Sequence, residues 1–292
     1  MTGAPPNPPT GKSALHTPAC DLFGVEYPIV QTGMGWVSGP TLTAATSEAG
    51  GLGVLAAATL TLDELKEAVA QIKAGTSKNF GVNFRPDQAD LPARVDFIIQ
   101  AGIKVASFAQ APRKDIVQKL RDNGVVVMPT IGAKRHAEKV VALGVDAVIA
   151  QGGEGGGHTG SIPTSLLLPE VVDAIDIPVL AAGGFRDGRG LVAAISYGAA
   201  GVAMGTRFLL TQESQVPVHI KERYLATQVN GTVVTKAIDG YPQRVIRTDF
   251  IDKLESSSFI TRFYRAMMYA FAFRKLTGTS LLALLKEGLS MK

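Results

Sequence analysis

The segment from Val148 to Gly160, VIAQGGEGGGHTG, combines residue types that could perform chemistry. An apolar run ends in the amide of Gln151, and five glycines then surround Glu154 before the imidazole of His158. Glycine adopts positive φ without a Cβ penalty, which lets backbone N–H groups approach a ligand closely. Histidine titrates near neutral pH and often acts as a general acid or base. The segment predicts a ligand-binding loop with a catalytic His158, although a flexible turn holding a structural histidine would carry the same residues.

Short apolar segments alternate with helical ones on both sides of this loop. Eight of them, rich in Val, Ile and Ala, have the length and composition of buried parallel strands. They are 27–31, 53–57, 80–84, 104–108, 125–129, 147–151, 179–182 and 201–204. Because eight such units can close on themselves, the sequence predicts an α/β fold of the (β/α)8 TIM barrel type with a mostly helical C-terminal extension. An open doubly wound sheet is the alternative, but no GxGxxG motif follows the first strand.

Helices are predicted in the intervals between the strands. Thr61 and Glu64 have the spacing of a capping box before a helix over 62–74. The other predicted helices cover 40–49, 93–101, 113–123, 133–143, 169–175, 188–197 and 208–212.

Five predicted strands end in residues suited to ligand binding. Barrels of this type bind ligands at the carboxyl ends of their strands, and phosphate often lies at the loops after strands seven and eight. The predicted contacts are Gly33, Met34 and Gly35 after strand one, Asn83 in strand three, Gln151, Gly156 and Gly157 at strand six, Gly183 and Gly184 after strand seven, and Ala203, Met204, Gly205 and Thr206 at strand eight. One planar cofactor with a phosphate, lying across the barrel mouth, would account for all five ends.

Composition excludes several classes of protein. With 46% hydrophobic and 18% charged residues, the chain has the composition of a soluble globular protein. It contains no secretory signal and no apolar run long enough to span a bilayer, so we expect no membrane partner. The single cysteine, Cys20, cannot form an internal disulfide and favours a cytoplasmic location. The four histidines lack metal-binding spacing, so no metal site is predicted.

The two ends of the chain differ from its centre. Residues 1–17 contain four prolines and are predicted to form a flexible arm before a barrel domain at 18–214 and a C-terminal segment at 215–292. From Lys221 to Lys292 there are twelve Lys and Arg against six Asp and Glu. This surplus suits an anionic small-molecule substrate, although a solvated surface is the more common explanation. No nucleic-acid motif is present.

The chain departs from the strand–helix alternation after residue 214. Residues 229–238 are predicted to be extended and Asp239-Gly240 to form a turn. A helix with an aromatic face is predicted over 259–276, and its four basic residues exclude a membrane span. The face would serve for core or dimer packing in a homo-oligomer, or as a lid over an apolar substrate.

Six motifs occur in order along the barrel. They are PIVQTGMG at 28–35, AGGLG at 49–53, GVN at 81–83, QGGEGGGHTG at 151–160, AAGG at 181–184 and MGTRF at 204–208. The set resembles the nitronate monooxygenase (2-nitropropane dioxygenase) family of FMN-dependent barrels, which is related to the flavin-dependent enoyl-acyl-carrier-protein reductases. The resemblance implies FMN as cofactor, contacts to it from Asn83, Gln151, Gly156, Gly184 and 203–206, and His158 as the catalytic histidine.

Further segments indicate a subgroup. Residues 33–37, GMGWV, are similar to reductases that handle acyl thioesters, and with TVVT at 232–235 and RVIRT at 244–248 the chain most resembles the acyl-CoA oxidoreductases that actinobacteria use on the last sterol rings. This resemblance implies α,β-desaturation of a CoA thioester, such as a sterol ring C/D degradation intermediate, with His158 as base and FMN as hydride acceptor. Trp36, Arg244 and Arg247 are the predicted substrate contacts, and guanidinium groups suit the CoA phosphates.

Other functions stay open from the sequence. A nitronate monooxygenase that oxidises alkyl nitronates with O2, or an NAD(P)H-dependent enoyl-thioester reductase, would use the same cofactor and histidine. A barrel enzyme acting on a phosphosugar without flavin leaves Asn83 and Gln151 unexplained. A non-catalytic flavin-binding protein leaves His158 without a role.

Overall fold

Parallel strands, each followed by a helix, build the first part of the chain. The structure, a computed structural model, describes residues 15–256. These residues form two compact units that divide between Leu225 and Ala226. The strands of the first unit are β1 Ile29–Gln31, β2 Leu52–Ala56, β3 Phe80–Phe84, β4 Val105–Phe108, β5 Val126–Ile131, β6 Val148–Gln151, β7 Gly157–His158, β8 Val179–Ala182 and β9 Gly201–Met204.

All of these strands except β7 close into one parallel barrel. The order is β1-β2-β3-β4-β5-β6-β8-β9, and β9 pairs back onto β1, with Val30 opposite Ala203. The predicted (β/α)8 barrel is therefore confirmed. The two-residue strand β7 lies inside the glycine-rich loop after β6, where no strand was predicted. The predicted domain limits at residues 17 and 214 stay predictions.

The helices of the first unit mostly match the predicted intervals. They are α1 Pro18–Phe23, α2 Pro40–Glu48, α3 Leu62–Gly75, α4 Leu91–Gln100, α5 Lys114–Asp122, α6 Lys134–Val141, α7 Thr164–Val172, α8 Gly188–Ser196, α9 Thr206–Leu209 and α10 Val218–Ala226. The capping box between Thr61 and Glu64 is present.

The helices of the first unit differ from the predictions at four places. The helix predicted over 169–175 begins at Thr164, so Pro169 lies inside it. Its N-terminus is satisfied by the Glu154 carboxylate, which accepts a hydrogen bond from Thr164 N (2.9 Å), and a partner ten residues away leaves no local start signal. The helix predicted over 208–212 is the single turn α9. The helices α1 and α10 were not predicted.

Strand alternation separates the core into two layers. Successive side chains on a strand point to opposite faces, so one set fills the barrel and the other packs against the helices. The interior set consists of Val30, Leu52, Val54, Val105, Val126, Met128, Ala147, Ile149, Leu180, Ala182 and Ala203. Phe23 of α1 joins this set and closes the amino-terminal end of the barrel. The carboxyl end is left for the site.

A buried arginine fixes the connection between β2 and α3. Arg94 on α4 is 3% exposed, and its guanidinium donates to the carbonyls of Ala57 (3.0 Å) and Leu60 (2.6 Å). Its Nε forms an ion pair with Asp90 Oδ1 at 2.8 Å. The guanidinium lowers the pKa of the Asp90 carboxyl, so this pair stabilises the fold above the ordinary carboxyl pKa and is lost as the pH falls through the lowered value.

Replacing Arg94 with Met is expected to lower the free energy of unfolding by about 3 kcal/mol, because one buried and one partly buried carbonyl lose charged donors. Urea unfolding followed by circular dichroism measures this loss. The matched control is Arg85→Met, whose exposed pair with Asp87 (2.6 Å) should contribute less than about 1 kcal/mol. Equal losses in both variants would contradict the role assigned to Arg94.

The second unit contains a β-hairpin and a short helix. Strands β10 Thr232–Thr235 and β11 Gln243–Ile246 pair antiparallel, with Val233 opposite Val245. Gly240 in their connection has φ +91°, in agreement with the predicted turn. The helix α11 Asp249–Glu255 begins after Thr248, whose hydroxyl accepts from Ile251 N. The extended segment predicted over 229–238 shortens to β10, and the aromatic helix predicted over 259–276 lies outside the described residues.

Residues 15–256 bear on two of the excluded classes, membrane proteins and metal sites. None of the helices described there is both long and apolar enough to cross a bilayer. In the same range, no three His, Cys, Asp or Glu side chains are grouped so that they could hold a metal ion.

Candidate active site

Polar side chains replace apolar ones where the interior of the barrel reaches the carboxyl ends of its strands. Asn83 on β3 and Gln151 on β6 continue the inward alternation one step beyond the apolar layer. Ser107 on β4 does the same from Val105, and its hydroxyl accepts a hydrogen bond from Asn83 Nδ2 at 3.3 Å. Sequence reasoning missed Ser107, although the alternation in VASF places it on the face of Val105. Hydrogen-bonding groups therefore form the bottom of the mouth of the barrel.

The loop after β1 packs against this polar layer. A Cβ built on Gly33 would lie 2.3 Å from Asn83 Cβ, so only glycine fits beside the amide. A Cβ built on Gly205, after β9, would lie 3.3 Å from Met34 Sδ, which brings the loops after β1 and β9 into contact. Thr32 N donates to Met204 O at 3.1 Å and extends the pairing of β1 with β9. Among the predicted contacts, Gly33 therefore adjoins Asn83, and Met34 adjoins Gly205.

A buried network holds the same loop from below. Gln31 is 0% exposed, and its amide Nε2 donates to Ser38 Oγ at 2.8 Å and to Val54 O at 3.2 Å. Ser38 Oγ donates to Thr32 O and accepts from Met34 N at 2.9 Å. Residues 32–38 are fixed by these bonds. Within this turn Trp36 has φ +59° and its side chain is 87% exposed.

Gln151 fixes the loop that carries His158. Its Nε2 donates to the backbone carbonyl of His158 at 2.7 Å. A Cβ on Gly155 would lie 2.5 Å from the same Nε2, so Gly155 provides the space that the amide occupies. The imidazole of His158 belongs to β7 and is exposed. The structure thus places the predicted base on a loop that is anchored to the barrel floor.

The base of this loop is closed on itself. Gly153 N donates to Ile162 O at 2.7 Å, and Thr159 Oγ1 donates to Gly152 O at 3.0 Å. Gly152 has no room for a side chain, because a Cβ there would lie 2.1 Å from Thr164 Oγ1.

Glu154 ties the loop after β6 to the loop after β8. Its carboxylate accepts from both Thr164 N (2.9 Å) and Thr164 Oγ1 (2.5 Å), and Thr164 Oγ1 lies 3.1 Å from Gly183 O. A Cβ on Gly184 would lie 3.5 Å from Glu154 Cβ. Sequence reasoning singled out neither Glu154 nor Thr164 as a site residue, since their contact spans a loop. Glu154 and Thr164 thus hold together two loops that contain predicted cofactor contacts.

The loops after β8 and β9 expose backbone groups at the mouth. Gly183 and Gly184 have φ values of +99° and +85°, a pair of conformations that favours glycine. A Cβ on Gly156 would lie 3.5 Å from Thr206 Oγ1, so the loops after β6 and β9 are adjacent. The side chains of Ala203 and Met204 are buried, which leaves their backbone as the part that a ligand could reach.

Charged groups follow the Gly183-Gly184 turn at the start of α8. Asp187 caps this helix by accepting from Arg189 N at 3.1 Å. Hydrogen bonding to the Arg189 side chain lowers the pKa of Asp187 to about 2, so the carboxylate stays ionised. Arg186 Nε lies 3.5 Å from the same carboxylate. Asp187 therefore offsets much of the positive charge beside this turn.

The predicted site residues fall into two groups. The contacts between the loops after β1, β3, β6, β8 and β9 bring the predicted cofactor contacts, Trp36 and His158 to one end of the barrel. Arg244 and Arg247 belong to the second unit, where Arg244 Nη1 donates to Thr232 Oγ1 (2.9 Å) and Arg247 Nε pairs with Asp252 Oδ1 (2.8 Å).

The residues at the mouth suit a planar ligand that carries a phosphate. The Gly183-Gly184 turn and Gly205-Thr206 present backbone amides without bulky side chains, as phosphate binding needs. Asn83 and Gln151 offer amides suited to the polar edge of a planar ring. The sequence model of nitronate monooxygenases matches residues 16–94 and 88–290. The chain belongs to the nitronate monooxygenase family. Members of this family are flavin-dependent oxidoreductases, so the predicted class of enzyme is confirmed.

Individual relatives in and around this family differ in their named activities. The chain is 55% identical over 280 residues to a Rhodococcus jostii enzyme named (3aS,4S,5R,7aS)-5-hydroxy-7a-methyl-1-oxo-octahydro-1H-indene-4-carboxyl-CoA dehydrogenase, covering 96% of this chain and 79% of the relative. It is 34% identical to a probable nitronate monooxygenase of Staphylococcus saprophyticus, covering 82% and 81%. Among solved structures, FabK from Thermotoga maritima aligns with a TM-score of 0.80 and 38% identity over 86% of this chain and 82% of FabK.

Proposed function

We propose that this chain is an FMN-dependent acyl-CoA dehydrogenase that introduces an α,β double bond into a cyclic CoA thioester, such as a sterol ring C/D intermediate. The observation that carries the proposal is the placement of His158 at the barrel mouth. Its imidazole is exposed, and Gln151 fixes its backbone carbonyl by a hydrogen bond. The 55% identity to the Rhodococcus CoA dehydrogenase supports the thioester as substrate.

The chain's own residues supply the proton transfer and the orientation. A thioester acidifies its α-carbon, and His158 removes this proton as general base. We assign the stabilisation of the developing enolate oxygen to backbone N–H groups of the glycine-rich loop that carries His158. Bound FMN would supply the acceptor for the hydride that leaves the β-carbon. The loops after β8 and β9 would hold its phosphate, and the polar layer of Asn83 and Gln151 its ring.

Anaerobic reduction of the flavin tests this function. Protein loaded with FMN is mixed with cyclohexanecarboxyl-CoA, a simple ring thioester with α- and β-hydrogens, and the visible absorbance is followed. Bleaching with formation of cyclohexenecarboxyl-CoA is expected, whereas free CoA should leave the absorbance unchanged. Absence of bleaching by this and other ring thioesters would refute the dehydrogenase.

Nitronate oxidation is the second candidate, and the 34% identity to a probable nitronate monooxygenase favours it. In that case a propyl nitronate would bleach the flavin under the same conditions and acyl-CoA would not. Releasing the bound flavin by denaturation and separating it by chromatography should give FMN and not FAD, because no GxGxxG turn follows β1.

We also propose that Arg247 and Arg244 bind CoA phosphates, which guanidinium groups recognise bidentately. Replacing Arg247 with Ala should raise KM for an acyl-CoA about tenfold and weaken its salt dependence. The matched control is Asp252→Ala, which breaks the Arg247–Asp252 pair but keeps the cation, and should leave KM unchanged or lower. If both variants raise KM equally, the arginine acts only through its ion pair.

A further inference from the structure

Trp36 combines strain with exposure. Among residues 15–256 it is the one residue other than glycine with positive φ, at +59°. This left-handed conformation is unfavourable for residues with a Cβ, and a bulky side chain seldom occupies it. Strained residues of this kind cluster at active sites. Trp36 is 87% exposed and gains little free energy from packing. Packing in the folded structure therefore does not offset the cost of its left-handed backbone conformation.

The surrounding turn imposes this conformation. Val37 N and Ser38 N both donate to Met34 O, at 3.1 and 2.9 Å, and close the backbone around Trp36. Ser38 is 2% exposed and bonded to the fully buried Gln31 amide. Because the bonds beneath the turn are buried, the backbone of Trp36 is held before any ligand arrives.

The neighbours of this turn indicate which part of a bound ligand the indole of Trp36 could contact. Gly33 adjoins Asn83 and Met34 adjoins Gly205, so the residues just before Trp36 border the proposed cofactor site. Gly35 points towards Thr59 in the loop after β2, since a Cβ there would lie 3.3 Å from Thr59 Cγ2. Trp36 therefore lies on the rim between the loops after β1 and β2.

We propose that Trp36 is a specificity-determining residue that packs its indole against the apolar ring of the acyl group. This inference rests on the proposed function. The α- and β-carbons must reach the cofactor, so the acyl group lies next to the strand ends, while the pantetheine arm carries the nucleotide away from them. A preorganised aromatic surface buries an apolar ring at little cost in side-chain entropy.

The single tryptophan of the chain makes this contact directly observable. Cyclohexenecarboxyl-CoA, the unsaturated ring thioester, binds without donating electrons. Titrating it into the FMN-loaded protein should change the intensity of tryptophan emission and shift it to shorter wavelength, because the exposed indole becomes covered. Acetyl-CoA and free CoA, which lack the ring, should saturate the site with little change in emission.

Substitution separates recognition from structure. Asn tolerates the left-handed conformation, so Trp36→Asn should unfold at the same or a higher urea concentration than the wild type. The same variant should bind cyclohexenecarboxyl-CoA about tenfold more weakly, measured by flavin absorbance, with free CoA affected less than about twofold. Trp36→Phe should restore most of the affinity. Tyr197→Ala, an exposed aromatic at the carboxyl end of α8, is the control and should bind as the wild type.

Several results would overturn the proposal. Unchanged ring affinity with lowered stability would make Trp36 structural, and equal losses for the ring thioester and free CoA would place the indole against the nucleotide or pantetheine. Failure of the proposed function is distinguishable, because the wild-type flavin would then resist reduction by ring thioesters. A wild-type enzyme that is reduced, paired with a Trp36→Asn variant of unchanged ring affinity, refutes the Trp36 assignment alone.

Discussion

His158→Ala should keep its flavin and lose about 10²–10⁴-fold in the rate at which an acyl-CoA reduces it. The loss follows from removing the imidazole that serves as general base for the α-proton. Flavin should stay bound because Gln151 reaches the His158 carbonyl, which the substitution retains. Stopped-flow absorbance under anaerobic conditions measures the rate, and the visible spectrum measures the flavin content.

The choice of substrate sharpens this test. A preformed nitronate anion needs no deprotonation, so its oxidation by His158→Ala should slow less than that of the neutral nitroalkane. His219→Ala, an exposed histidine on α10, is the matched control and should react at the wild-type rate. If His158→Ala equals the wild type on every substrate that reduces the flavin, the base lies elsewhere and His158 is structural.

Gly155→Ala should slow flavin reduction by about 10²-fold, although it adds one methyl group. Its Cβ would lie 2.5 Å from Gln151 Nε2, so the amide has to leave the His158 carbonyl and the base loses its anchor. Displacing a catalytic group by about 1 Å can have an effect of this size. The measurement is again stopped-flow reduction, with flavin content determined in parallel.

Gly160→Ala provides the control within the same loop. Its Cβ would approach Gly132 O at 3.6 Å, an ordinary contact, so the rate should fall less than about threefold. A Gly155→Ala enzyme with the wild-type rate would show that Gln151 does not position the base.

The barrel could be predicted from sequence because buried parallel strands have a distinctive composition. β3, β8 and β9 agree with the predicted segments at both ends. The start of α7 and the position of Ser107 were missed for different reasons. The start of α7 follows from Glu154, and Ser107 reads as an ordinary small core residue until the alternation shows that it faces the mouth.

The candidate site was predictable in composition but not in conformation. Glycines were predicted to supply positive φ in the loop after β6, yet after β1 the positive φ belongs to Trp36, while Gly33 is needed for space beside Asn83. No local pattern distinguishes these two reasons for a glycine. The FMN contacts, the substrate contacts and the homo-oligomer stay predictions.

The closed base of the His158 loop has a consequence for how the enzyme can vary. Because Gly153 N donates to Ile162 O and Thr159 Oγ1 donates to Gly152 O, the segment between them has the construction of an Ω-loop, whose ends meet. Lengthening such a loop changes the entropy of loop closure only slowly. We therefore expect that insertions near Gly157 would change access to the His158 imidazole. The strands of the barrel would keep their pairing register.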